Sequence, residues 1–131
     1  MIVVDTNIIT YFYLNTELSD LADKLYKKEP DWIVPLLWRS EFRNVLAAYI
    51  KKEVISLKDG IQIFELAETL FYEREYQVNS AQVLKLSHES GCSAYDCEFV
   101  SLAMNFNIPL ITMDKQILKS FPNTAVSLQN Y

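Results

Sequence analysis

The chain has 131 residues, with 12 Lys plus Arg against 17 Asp plus Glu, half of them apolar and 22% charged; this is the composition of one globular domain, not of a disordered, collagen-like or repeat-built chain. At this length roughly two-thirds of the unfolded chain's surface can be withdrawn from water, enough for a single core over residues 1–131. Glycine occurs only at Gly60 and Gly91, neither in a strand-to-helix turn, which excludes the Gly-rich phosphate cradles of P-loop and dinucleotide folds. His88 is the one histidine, so a zinc site of the Cys/His kind lacks ligands, and the residue reads as part of a polar helix face.

The first segment, residues 2–4, is a β-branched apolar run of the kind buried on both faces of a parallel sheet, and Asp5 ends it. Apolar residues at helical spacing then predict helices over 8–14 and 18–28, a strand at 32–35, and helices over 37–52 and 57–74, the last with Ser56 and Asp59 as a box-like cap. A weaker strand signal at 76–78 precedes a helix capped by Asn79 or Ser80 and closed by Gly91. Cys92 and Cys97 follow, five apart; with Cys97 helical their side chains diverge, so free thiols and a reducing cytoplasm are expected. A helix over 94–106, a strand ending at Asp114, a short helix over 114–121 and a weak strand at 125–128 complete the chain. No basic leader precedes the first apolar run and no run approaches the ~20 residues of a membrane span, so neither secretion nor anchoring is expected.

Strands alternating with helices predict an α/β fold in three layers, a mostly parallel sheet of four or five strands with helices on both faces. Ligands of such sheets bind outside the carboxyl ends of the strands, where Asp5 and Asp114 fall. Helix capping explains either of them equally well. It does not explain Asp96, which at 100° per residue projects into the arc of Tyr95, Phe99, Val100, Leu102, Ala103 and Phe106, whereas Glu98 falls with Ser101 and Asn105 on the expected solvent side. A carboxylate on an apolar face is costly unless paired, hydrogen-bonded or bound to a metal. Glu41 borders the apolar stripe of the 37–52 helix, just beyond Val45.

Oxygen ligands without Cys or His select Mg²⁺ or Mn²⁺, and such ions support hydrolysis of phosphomonoesters or phosphodiesters. Without these four acids the remaining charges nearly balance. Cations that could meet phosphate are few: Arg39 and Arg43 flank Glu41, and Lys115 follows Asp114. Asp5-Thr6-Asn7 also admits a haloacid-dehalogenase-like phosphatase, although Asn7 stands where that chemistry needs an acid, and a binding module without catalysis is a further alternative.

The motifs Ile2-Val3-Val4-Asp5-Thr6-Asn7, Ser40-Glu41 with Val45-Leu46, Ser93-Ala94-Tyr95-Asp96-Cys97-Glu98-Phe99-Val100 with Leu102-Ala103, and Leu110-Ile111-Thr112-Met113-Asp114 occur in this order across nearly the whole chain. Together they resemble a PIN domain and, in size and layout, the VapC-type toxin ribonucleases of toxin–antitoxin pairs. The resemblance implies that Asp5, Glu41, Asp96 and Asp114 match the family's acidic quartet around Mg²⁺ or Mn²⁺, that Thr6, Asn7 and Thr112 hold those carboxylates, and that the substrate is RNA. It also implies a cognate antitoxin protein as partner. A homodimer is expected on both grounds, because Tyr11, Phe12, Tyr13, Phe64, Phe71 and Tyr72 supply more aromatic surface than one small core needs.

Overall fold

A computed structural model describes residues 1–131 in the order β1 (Ile2–Val4), α1 (Thr6–Tyr13), α2 (Ser19–Lys28), β2 (Trp32–Pro35), α3 (Trp38–Lys51), α4 (Leu57–Leu70), β3 (Glu75–Tyr76), α5 (Ser80–Ser90), α6 (Ala94–Phe106), β4 (Leu110–Ile111), α7 (Lys115–Ser120) and β5 (Ala125–Val126). The strands form one sheet in the order β3-β2-β1-β4-β5, and every neighbouring pair runs parallel, with Ile2 opposite Trp32 and Val3 opposite Leu110. The α/β architecture expected from the sequence is the one found.

Strand periodicity divides the core in two. Ile2, Val4, Trp32, Val34 and Ile111 face a cluster with Ile8, Ile9, Trp38, Phe42 and Phe71, whereas Val3, Ile33 and Leu110 face Phe99, Val100, Leu102, Ala103 and Ile117. Both faces of β1 are therefore dry, which is why its three residues are all aliphatic and fully buried. This central strand delivers Asp5 to the sheet's carboxyl edge, where its own helix begins.

Several boundaries differ from the sequence reading. Helix α4 stops at Leu70 rather than near Arg74, because Phe71 turns out of helical geometry and Glu73 takes a positive φ of 61°. Ser56 caps α4 as expected, accepting from the Asp59 N–H at 3.0 Å. Gly91 closes α5 with φ of 78°, a conformation that costs a side chain little only when there is none.

The aromatic surplus is absorbed within one chain. Phe12 packs against Tyr13, Tyr26 and Trp32, Phe64 stacks on Trp38, and Phe71 is wholly buried beside it. Of the residues expected to drive self-association, Tyr72 alone is strongly exposed, at 73%. Both cysteines are free and buried together with Val83, and His88 lies on the exposed side of α5.

Candidate active site

Four segments distant in sequence meet at the carboxyl edge of the sheet. Asp5 ends β1, Glu41 stands in the first turn of α3 just after β2, Asp96 is in the first turn of α6, and Asp114 follows β4 at the start of α7. All four line one cavity of about 460 Å³, together with Thr6, Asn7, Thr10, Tyr11, Asn44 and Val45.

The capping explanation for Asp5 and Asp114 is correct but uses only part of each carboxylate. Asp5 Oδ1 accepts the Thr6 N–H at 2.8 Å, while Oδ2 accepts the Thr112 hydroxyl at 2.6 Å and the Asn7 amide at 3.5 Å. Asp114 Oδ1 accepts the Ile117 N–H at 2.9 Å. Thr6 turns its hydroxyl to Glu41 Oε1 at 2.6 Å. Thr112 accepts in turn from the Asp114 N–H at 3.0 Å, and Asn7 Oδ1 accepts the Met113 N–H at 3.4 Å. Thr6, Asn7 and Thr112 thus stitch β1, α1, α3 and the β4–α7 turn into one polar network, and a buried network of this kind is stable only when its members are satisfied.

These carboxylates are unfavourable as bare anions. Burial, only partly offset by the Thr112 hydroxyl and the Thr6 N–H, pushes the Asp5 carboxyl up to about 6, with the charges of Glu41 and Asp96 adding to the rise. Burial first and then the Asp96 and Glu98 charges raise Glu41 against the pull of the Thr6 hydroxyl, and burial followed by the Asp114 charge raises Asp96. A divalent cation would relieve all three. The donor set is oxygen only, which fits a hard ion, and no three of the acidic, Cys or His side chains stand close enough together to hold an ion as they are placed. Such an open set suits an ion that keeps several waters and touches few protein ligands.

Asp96 does not project into a wholly buried apolar arc. Tyr95, assigned to the same apolar arc, is 63% exposed, and the buried run of α6 is Cys97 and Phe99 to Ala103. Asp96 is half-buried at the helix end that overhangs the cavity, its N–H bonded to the Ser93 Oγ cap at 3.1 Å. Glu98 and Ser101 are not on a solvent face either. Helix α5 packs along that side, where Ser101 is fully buried and donates to Gln82 Oε1 at 2.7 Å, and Glu98 is half-buried.

None of the expected phosphate-binding cations lines the cavity. Arg39 instead holds Glu75 through Nε at 2.6 Å and Nη2 at 3.0 Å and Glu68 through Nη1 at 2.6 Å, tying α3 to α4 and β3. Arg43 lies over the Phe64 ring, 5.0 Å from its centroid. Lys115 is exposed beside Asp114. Arg39→Gln is therefore expected to cost about 1 kcal/mol in urea unfolding while changing any activity of the cavity less than about twofold, the order expected of a residue that touches no cavity group.

Tyr11, Thr10 and Asn44 were not foreseen at the site, although Tyr11 is four after Asn7 and Asn44 three after Glu41, spacings that share a helix face. The Thr10 hydroxyl is used internally, donating to the Thr6 carbonyl at 3.0 Å. Burial and the nearby Asp5 charge hold the Tyr11 hydroxyl above its ordinary range, so it stays a neutral donor.

A parallel 3-2-1-4-5 sheet thus carries at its carboxyl edge a cavity whose charged groups are all carboxylates. The PIN domain model matches residues 2–122, and the chain belongs to the PIN domain family. It is 26% identical over 126 residues to Ribonuclease VapC3 of Pyrobaculum aerophilum, an alignment covering 92% of this chain and 95% of that protein. Its fold is similar to that of PAE2754 from the same organism (TM-score 0.78, 17% identity, 98% of this chain and 90% of that one) and to a chain of a toxin–antitoxin complex from Klebsiella pneumoniae (TM-score 0.72, 18% identity, 100% of both).

Proposed function

We propose that this protein is a Mg²⁺- or Mn²⁺-dependent ribonuclease and the toxin of a toxin–antitoxin pair. The observation that carries the reading is the convergence of Asp5, Glu41, Asp96 and Asp114 on one cavity, with burial and mutual repulsion disfavouring the charges of Asp5, Glu41 and Asp96. The names of VapC3, a ribonuclease, and of the Klebsiella complex support the activity and an antitoxin partner.

In this reading one or two carboxylates of the quartet would hold the cation directly and the others through its waters, and when bound it would supply an acidified water and offset charge on the entering and leaving oxygens of an in-line displacement at phosphorus. Thr112 and Thr6 fix the rotamers of Asp5 and Glu41 by donating to one oxygen of each. Asn7 holds the β4–α7 turn through the Met113 N–H and so sets the distance between Asp5 and Asp114. Hydrolysis adds water across one P–O ester bond, and no covalent enzyme intermediate is required. The alternative of an aspartyl-phosphate at Asp5 has an amide, Asn7, where that chemistry needs an acid, and Asn7 is engaged with Asp5, Thr112 and Met113.

The purified protein is expected to cut labelled single-stranded RNA with Mg²⁺ or Mn²⁺ and to stop on addition of EDTA. RNA left intact with every divalent ion tested would overturn the proposal. A homodimer belongs to the same proposal, supported now by Leu57, Ile61 and Leu66, which α4 leaves at least half exposed. Light scattering on the protein alone should give twice the mass of one chain, and a monomer at high micromolar concentration would refute this. No helix is long and apolar enough to cross a membrane, and a cytoplasmic location is part of the reading.

A further inference from the structure

The cavity poses a binding problem for RNA. Its wall contains four carboxylates and neither lysine nor arginine, and the chain as a whole carries a net charge of −5. Arg39 is committed to Glu75 and Glu68, and Arg43 lines a separate groove between α3 and α4 with Leu46, Ile50 and Phe64. Phosphate contacts, the usual source of affinity for nucleic acid, are therefore not supplied by side chains of the cavity. The uncharged parts of RNA are its bases and riboses, and single-stranded RNA is commonly held by stacking its bases on aromatic rings and bonding their edges.

The wall offers both chemistries at two residues. Tyr11 lines the cavity, and its half-buried side chain packs against the core cluster, which restrains it. Asn44 is exposed on α3, one turn beyond Glu41, and its amide presents a donor and an acceptor side by side. The other neutral polar groups of the wall are spent internally: Thr10 on the Thr6 carbonyl, Thr6 on Glu41, and Asn7 on Asp5, Thr112 and Met113. A volume of about 460 Å³ is in the range that takes a nucleotide-sized ligand.

We infer that Tyr11 and Asn44 form a base-recognition wall, in which Tyr11 stacks on a nucleobase beside the bond to be cut and Asn44 reads that base's edge. The inference rests on the ribonuclease reading and names its substrate-selecting residues. The test is steady-state cleavage of a panel of labelled single-stranded RNAs that differ at one position on either side of the wild-type cut, using Tyr11→Phe, Tyr11→Leu and Asn44→Ala.

Tyr11→Phe keeps the flat face and should leave KM within about twofold, whereas Tyr11→Leu should raise KM by about tenfold with a smaller change in kcat. Asn44→Ala removes an exposed side chain that no packing depends on, and should reduce discrimination between bases at one position by about tenfold. Should Tyr11→Leu fail to fold, Asn44→Ala still decides the matter. An unchanged KM in Tyr11→Leu with an unchanged base preference in Asn44→Ala, or effects confined to kcat, would overturn the inference, as would a wild type that shows no preference among bases. A wild-type protein inert on every RNA instead overturns the ribonuclease reading, and the base wall with it.

Discussion

Asp96→Asn is expected to reduce RNA cleavage by at least about a hundredfold, since residues that merely orient metal ligands are already worth 10- to 100-fold, and to leave the thermal midpoint in metal-free buffer unchanged or raised. The two effects have separate causes. The carboxylate is half-buried above the cavity, where burial and then the Asp114 charge disfavour its ionised form. An amide of the same shape escapes both. Its backbone N–H still bonds the Ser93 cap, so the first turn of α6 is retained, and the lost attraction between an acidic side chain and the helix N-terminus is worth only about 0.3–1 kcal/mol. Relief of burial and repulsion therefore opposes loss of that attraction. With saturating Mn²⁺ the wild type should gain stability and the variant much less. Wild-type cleavage rates in purified Asp96→Asn would remove Asp96 from the site, and a midpoint several degrees lower would make it a structural residue instead.

The residues that the structure places where the sequence reading expects them are those whose position depends on local periodicity or on a strand end. A β-branched run closed by a carboxylate places Asp5 and Asp114 on the sheet edge whatever packs around them, and Thr6, Asn7 and Thr112, adjacent to those ends, have little choice but to bond them. Long-range pairing is different. Arg39 sits two residues from Glu41, yet its partner Glu75 lies 36 positions away on an edge strand whose register no local pattern fixes. Glu98 and Ser101 misled for a related reason: a helical wheel ranks faces by hydrophobicity, and α6 is packed by the sheet on one side and by α5 on another. Its only apolar arc is therefore not its only buried one. The dense aromatics were likewise read as a surface because sequence alone does not show that α4 folds back to lay Phe64 on Trp38. Asn44 and Tyr11 were detectable in principle by spacing, and neither carries the charge that singled out the quartet.

In EDTA the protein should lose stability as pH rises from about 4 to about 7, by an amount on the order of 3 kcal/mol from Asp5 alone. The sign follows from proton counting. Asp5 titrates near its ordinary value of 3.8 when unfolded and at about 6 when folded, so between these values the folded state holds a proton that the unfolded state has released. Stability then falls with rising pH through that window and levels off above it. Glu41 and Asp96, also raised, act in the same direction. Glu29, held low by the amino terminus, and Glu75, held low by Arg39, act oppositely, at pH values up to about their ordinary 4.5. Glu98, raised by burial outside the cavity, adds to the same slope, so the cavity's share is the part that substitution of its carboxylates removes.

For a chain of this size such a loss is about 10 °C in the midpoint. Bound Mg²⁺ or Mn²⁺ requires deprotonated ligands, so its stabilisation should grow with pH and oppose the loss, reaching about 2.7 kcal/mol at a hundredfold excess over Kd. Asp5→Asn supplies the control, and its slope is the quantity to compare rather than its absolute stability. The amide satisfies only one of the two donors, Thr6 N–H and Thr112 hydroxyl, that the carboxylate accepts, so the variant starts from a lower midpoint. It should nonetheless show a flatter pH profile and a smaller response to metal. A wild-type midpoint that is level across the window, or a slope that Asp5→Asn leaves undiminished, would mean that the carboxylate's charge is already compensated without a cation, and the physical case for a metal at this cavity would fail.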